Sequence, residues 1–207
     1  CMGLALFEKE GVEVRAVLAN KLIPEKRDRT LDYLTRALAD DQMTVIGGVD
    51  YHPVLANPTL RRVSKLLGLP LHGNRRDVGR IIHHVQIGAA STQRVTELIH
   101  DPSLVIVTSS RDELLVTLAN LYKIPAYRSR IAGLIIPGIA PVSTITQMIL
   151  DRSNIPYMRT ENLTTAELYR IITEDVSKIT AYDTEKLGLI RNLAETHIDF
   201  DLLDELF

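Results

Sequence analysis

Apolar and polar positions along this chain follow two rhythms that take turns. Short runs of valine, isoleucine and leucine, bounded by glycine, proline or serine, alternate with longer stretches in which apolar residues recur every third or fourth position. The first rhythm is that of buried strands and the second that of amphipathic helices. From residue 81 the alternation repeats as one unit. “IIHHVQIG”, “SLVIVT”, “IAGLIIPG” and “IPYMRT” predict strands; “STQRVTELIH”, “DELLVTLANLYK”, “VSTITQMILD” and “TAELYRIITEDV” predict the helices between and after them. Strands joined through helices of this length predict βαβ crossovers and a mostly parallel sheet covered on both faces.

The earlier residues carry the same alternation less regularly. Leu4, Ala5 and Phe7, followed by Gly11, predict the last turns of a helix closed by a glycine, and an opening of this kind suggests a segment of a longer protein. “VEVRAVLAN” predicts a buried strand. A helix follows over Arg27–Ala39, with Leu31, Leu34 and Leu38 on one face, then a strand over Met43–Val49 and a helix over Pro58–Leu67 ended by Gly68. “LGLPLHGNRRDVGR” has little apolar pattern and predicts a junction, with a domain boundary near Gly73. In the tail, Asp183–Phe207, Leu187, Ile190, Ala194 and Ile198 predict an amphipathic helix that packs on its own domain or on a partner.

Bulk properties narrow the field of functions. A net charge of −2 supplies no field for capturing nucleic acid or an anionic membrane, and the absence of tryptophan leaves few platforms for stacking bases. No apolar run is long enough to span a bilayer, and no signal peptide is recognisable. The single cysteine, Cys1, permits neither an intramolecular disulfide nor a cysteine metal cluster, which fits a cytoplasmic protein.

In parallel sheets, ligands bind beyond the carboxyl ends of the strands. Three polar loops fall there: “GAAST”, “TSSRD” and “PGIAPVS”. Thr108, Ser109, Ser110, Arg111 and Asp112 are consistent with a nucleophile site, a phosphate cradle or a helix cap. The cap suffices for Ser110, because Ser110 and Glu113 fit the S-x-x-E capping box, as do Thr164 and Glu167. Ser109 lacks the glycine-flanked elbow of a serine hydrolase, and no catalytic residue is assigned. His83 and His84, adjacent on a strand, point to opposite faces and are not read as a metal site. Arg75, Arg76 and Arg80 fit a phosphate site or a solvated linker equally well. Asn20 and Lys21, at the end of “VLANK”, resemble the base-recognition position of P-loop proteins. No G-x-x-x-x-G-K-[ST] loop accompanies them, so there is no cradle for nucleotide phosphates.

“LFEKEGVEVRAVLANKLIPEKRDRTLDYLTRAL”, “GGVDYHPVLANPTLRRVSKLLG” and “DTEKLGLIRNLAETHIDFDLL” resemble the region before the catalytic domain of long phosphotransacetylases and their stand-alone relatives. That region is similar to dethiobiotin synthetase and cobyrinic acid a,c-diamide synthase, joined to a DRTGG domain. The resemblance implies a partial P-loop-type parallel α/β layer at 1–72, a DRTGG-type α/β/α domain with a mostly parallel sheet at 73–180, and a helical tail at 181–207. “HHVQIGAAST”, “VIVTSSRDELL” and “IAGLIIPGIAPVSTI” match the three strand-loops of the DRTGG domain. Relatives favour a glycine pair where Ser109 and Ser110 stand, and another near Gly138 and Ile139. The resemblance further implies a non-catalytic, regulatory and homo-oligomerising region that senses a nucleotide or anionic metabolite. Thr108 to Asp112 and Gly138 would then lie at a ligand, and Asn20, Lys21 and Asp50 on the nucleotide-base side of the first part. The alternative is a fragment of an ATP-dependent carboxylate-activating enzyme, for which ATP would be a cofactor only with the missing phosphate-binding half. No metal, nucleic-acid or membrane partner is implied.

Overall fold

A computed structural model describes residues 2–39, 43–176 and 178–207; Cys1 and the side chain of Leu4 lie outside this set. The elements in chain order are α1 (Met2–Lys9), β1 (Ala16–Leu22), α2 (Arg27–Leu38), β2 (Thr44–Asp50), α3 (Leu60–Leu67), β3 (His84–Ile87), α4 (Thr92–Glu97), β4 (Ser103–Ile106), α5 (Asp112–Leu121), α6 (Pro125–Arg128), β5 (Ile131–Pro137), α7 (Thr144–Ser153), β6 (Tyr157–Thr160), α8 (Thr165–Glu174), α9 (Thr184–His197) and α10 (Phe200–Glu205). They form two compact units: residues 1–53 with 187–207, and residues 54–186. The fold is mixed α/β with parallel sheets, as the alternating pattern predicts.

In the second unit four parallel strands lie in the order β3-β4-β5-β6. All seven residues of β5 are buried, so both faces of the sheet must be covered. One face carries α4, α5 and α7 through Val95, Leu114, Leu115, Leu118 and Leu150, set against Val105, Leu134 and Ile136. The other carries α3 and α8 through Leu60, Val63, Leu168 and Ile172, set against Leu104, Ile106 and Ile135. Neighbouring β4 residues serve opposite faces, which is the period-2 alternation of a strand buried on both sides.

The boundary expected near Gly73 does not coincide with a break between compact units. Residues 69–74 are stitched to the outer edge of β6: His72 and Tyr157 exchange backbone hydrogen bonds of 2.9 and 3.1 Å, and their rings stack at 5.0 Å. The Asn74 N–H donates to the Asn154 carbonyl at 3.0 Å. The glycine and proline of this stretch shape an edge cover, and its weak apolar pattern reflects backbone pairing in place of side-chain burial. “IIHHVQIG” also yields a shorter strand than expected, because His83 bonds outside the ladder to the Pro102 carbonyl.

The first unit is built on a parallel pair, β1 and β2. β1 is less buried than its apolar sequence predicts: only Ala19 and Leu22 are inside, and Leu18 is 40% exposed. The tail forms two helices where one was expected. Between them Ile198 makes an antiparallel bridge to Gly47, and the Asp199 N–H donates to the Ile46 carbonyl at 2.8 Å, covering the free edge of β2. Gly47 has φ +135°, and a Cβ there would lie 2.1 Å from the His197 carbonyl oxygen, so the tail approaches through the space that glycine leaves. Asp199 then caps α10, accepting from the Leu202 N–H at 2.9 Å.

A buried polar cluster closes the second unit at the start of α9. Lys186 has no exposed surface, and its ammonium donates to the Leu55 carbonyl at 3.0 Å. Asp183 accepts from the Thr180 N–H and hydroxyl (2.7 and 2.9 Å) and from the Thr59 hydroxyl (3.3 Å). Burial alone would raise the Asp183 pKa, but these hydrogen bonds and the Lys186 charge outweigh it and hold the carboxyl below its ordinary value. Burial in turn pulls the Lys186 ammonium down, against the attraction of Asp183 and Asp175. A carboxylate with a depressed folded-state pKa stabilises above its unfolded value, near pH 4, and loses that contribution as pH falls through the folded value. Asp183→Asn removes one of the two carboxylates that attract the buried Lys186 ammonium, together with the acceptor of three hydrogen bonds, and should cost about 3 kcal/mol at neutral pH. Urea unfolding should show this deficit at pH 7 and a smaller one at pH 3, with Asp183→Asn/Lys186→Met restoring most of it.

Candidate functional site

The parallel strands of the second unit deliver their loops to one edge. β3 runs into Gly88–Ser91, β4 into Val107–Arg111, β5 into Gly138–Ser143 and β6 into Glu161–Thr164. These loops are tied to one another. The Ser109 N–H donates to the Pro137 carbonyl at 2.8 Å and the Gly138 N–H to the Thr160 carbonyl at 3.0 Å, carrying the ladder one step past the strands. Arg111 staples two loops, its guanidinium donating to the carbonyls of Gly88 (3.0 Å) and Ala90 (3.1 Å) and pairing with Glu113. Its hydrogen bond and charge hold the Glu113 carboxyl below the ordinary range.

The capping box expected at Ser110 and Glu113 does not form. The Arg111 N–H closes a turn onto the Thr108 carbonyl at 3.0 Å, which moves the helix start one residue on. Arg111 becomes the N-cap, without a side-chain hydrogen bond, and Glu113 falls at the second helical position, where a capping box needs the third. Ser110 Oγ instead lies 3.3 Å from Thr108 Oγ1. The box at Thr164 and Glu167 does form, with both reciprocal bonds present.

Ser109 is 4% exposed and sits against Gly138. Gly138 has φ +136°, and a Cβ there would lie 2.3 Å from Ser109 Oγ, so the glycine is required by both the backbone and its neighbour. Among the described residues, no hydrogen bond joins Ser109 or Ser110 to a histidine, lysine or carboxylate. Two buried polar atoms at this edge have no partner: Asp112 Oδ1 and Arg159 Nε. Arg159, on β6, also donates to the Ala140 carbonyl (3.3 Å) and pairs with Glu161 (3.2 Å). The sequence pattern does not single out Arg159; its one local signal is an arginine one step from the carboxyl end of a buried strand.

In the first unit, Asn20, Lys21 and Asp50 share the carboxyl edge of β1 and β2. Lys21 is left-handed at φ 59°, its N–H donating to Asn20 Oδ1 at 2.8 Å, where the register with β2 slips. Asp50 is flanked by Arg27 at 3.3 Å and His197 at 4.0 Å. His84 is exposed, 3.4 Å from Asp101. No described helix is long and apolar enough to cross a membrane.

No protein-family model and no curated protein matches the chain. Among solved structures it is similar to the CBS and DRTGG domains of the regulatory region of Clostridium perfringens pyrophosphatase, determined in complex with the activator diadenosine tetraphosphate. That likeness covers 87% of each chain at 12% identity, with a TM-score of 0.42. At this level it assigns neither ligand nor activity.

The interlock of Gly138 with Ser109 has a measurable consequence. Gly138→Ala should destabilise the second unit by about 2–3 kcal/mol through strain and overlap. Adding Ser109→Ala, which removes the nearest atom but leaves the backbone strain, should recover part of that loss. Equal stability of Gly138→Ala and the parent in urea unfolding would show that the loops do not interlock.

Proposed function

We propose that this chain is a non-catalytic regulatory and assembly region, of the kind its resemblance to the segment preceding the catalytic domain of long phosphotransacetylases implies. It senses a nucleotide or a related anionic metabolite at the strand-end loops of residues 88–91, 108–112 and 138–143. The observation that carries this reading is the pair of unpartnered buried atoms, Asp112 Oδ1 and Arg159 Nε, at the edge where those loops gather. A buried polar atom without a partner costs about 1–3 kcal/mol, and a ligand that supplies the partner recovers it. Asp112 suits a ligand hydroxyl, such as that of a ribose; the Arg159 guanidinium suits an anion. Arg111 holds the loops in place, since its guanidinium is committed to Gly88 and Ala90. The same edge offers a surface for a second copy of the chain: Ile139, Ile145 and Met148 are 84%, 68% and 44% exposed on the β5–α7 loop and α7.

A ligand that binds only the folded state stabilises it by about 2.7 kcal/mol at a hundredfold excess over Kd, a rise in Tm of roughly 5 °C or more. Acetyl phosphate, acetyl-CoA, pyruvate, NADH, AMP and ATP form the test panel. At least one should produce such a rise, reduced in Arg159→Ala, and sedimentation should show an oligomer that Ile145→Glu weakens. A strict monomer blind to the whole panel would refute the reading.

A second reading, a fragment of an ATP-dependent carboxylate-activating enzyme, is favoured by the strained backbone of Lys21 beside Asn20, because such strain gathers at ligand sites. Magnesium ATP should then raise the Tm of the parent and not that of Lys21→Ala. The absence of any shift removes this reading.

A further inference from the structure

Five arginines lie on α3 and the turn before β3, and their situations differ. Arg62 forms a two-pronged pair with Asp175 at 2.7 and 3.0 Å. Arg80 donates to the carbonyls of Arg128 (2.6 Å) and Ile131 (3.0 Å) and lies near Asp77. Both are committed to the fold. Among the described residues, Arg61, Arg75 and Arg76 have no ion pair or side-chain hydrogen bond; Arg61 only lies over the Tyr182 ring at 5.6 Å.

Two of these three face the same space. Arg61 and Arg75 line a hollow of about 340 Å³ with Ser64, Leu71 and Val78. Ser64 spends its hydroxyl proton on the Leu69 carbonyl at 2.7 Å, so its oxygen retains only acceptor capacity. Among the described residues no carboxylate lines the hollow with these arginines, and Leu71 and Val78 give it an apolar wall. Two unpaired arginines lining one concavity bring like charges together, and an anion between them reverses the sign of that interaction. Guanidinium geometry matches phosphate oxygens in pairs, and the volume suits a small molecule.

A hollow of about 420 Å³ in the first unit differs on this point. There Arg27 is paired with Asp50, His197 bonds to the Leu193 carbonyl, and Asp199 caps α10. Its polar groups have partners already.

We propose that the hollow between α3 and the turn at Arg75–Gly79 is a binding site for a small phosphorylated molecule, its phosphate held by Arg61 and Arg75 and its apolar body resting on Leu71 and Val78. The site is separate from the strand-end loops and does not depend on the regulatory reading. The turn is fastened to the opposite end of the sheet, where Asp77 meets Tyr122 at the close of α5 and Arg80 meets Ile131 at the start of β5.

The test uses phenyl phosphate, inorganic phosphate and phenol as probes on the full chain, with binding followed by calorimetry and by ³¹P line broadening. Phenyl phosphate should bind saturably and more tightly than inorganic phosphate, and phenol should not bind. Arg61→Gln and Arg75→Gln should each weaken phenyl phosphate at least tenfold. Arg76→Gln, in the same turn but outside the hollow, should leave it within twofold. All three residues are exposed, and unchanged Tm values confirm that the variants are folded. Absent saturable binding, equal loss in Arg76→Gln, or no loss in Arg61→Gln and Arg75→Gln would each overturn the proposal.

Discussion

The burial of β5 on both faces is the constraint from which the second unit follows. Seven consecutive residues from Ile131 to Pro137 lose contact with water, so every backbone group needs a strand beside it and every side chain needs a helix above or below it. β4 and β6 supply the first, in parallel register. α5 and α7 supply one cover and α3 and α8 the other. Each buried leucine or isoleucine of this layer contributes roughly 1.5–3 kcal/mol, so the strand cannot leave either face open. The parallel direction also brings four strand-end loops to a single edge.

Arginine use divides the candidate residues more sharply than sequence position does. Arg62, Arg80 and Arg111 occur in polar stretches that look equally suited to a ligand, yet each gives its donors to a carbonyl or a carboxylate of the fold. What singles out Arg61 and Arg75 is the lack of such a partner together with a shared concavity. Arg159 stands between the two groups: it donates to the Ala140 carbonyl and pairs with Glu161, yet its buried Nε has no acceptor.

The period-2 and period-3.6 patterns made the strands of the second unit and most of its helices legible, because β4 and β5 are buried along their whole length and α3, α5 and α8 each carry a buried apolar stripe. The box at Thr164 and Glu167 was legible for the same local reason. The box at Ser110 and Glu113 was not, since a turn from Thr108 to Arg111 displaced the helix by one residue, and one residue is enough to defeat a three-residue spacing. The edge cover at His72 and the bridge at Ile198 were hidden for another reason: backbone pairing leaves little trace in side-chain pattern. Of the candidate site, the loops and Gly138 could be read from small residues at strand ends. The commitment of Arg111 to carbonyls across the loops, and the unpartnered atoms of Asp112 and Arg159, depend on tertiary neighbours that no local spacing encodes.

The seal on β2 has a consequence in time. Gly47 meets Ile198 across about 150 residues, with the whole second unit in the interval. A chain made from its amino end can complete the second unit as soon as Lys186 has emerged, whereas the first unit must wait with an unpaired strand edge until the tail arrives. Of the two units, the one whose first strand is synthesised earlier is the one that closes later.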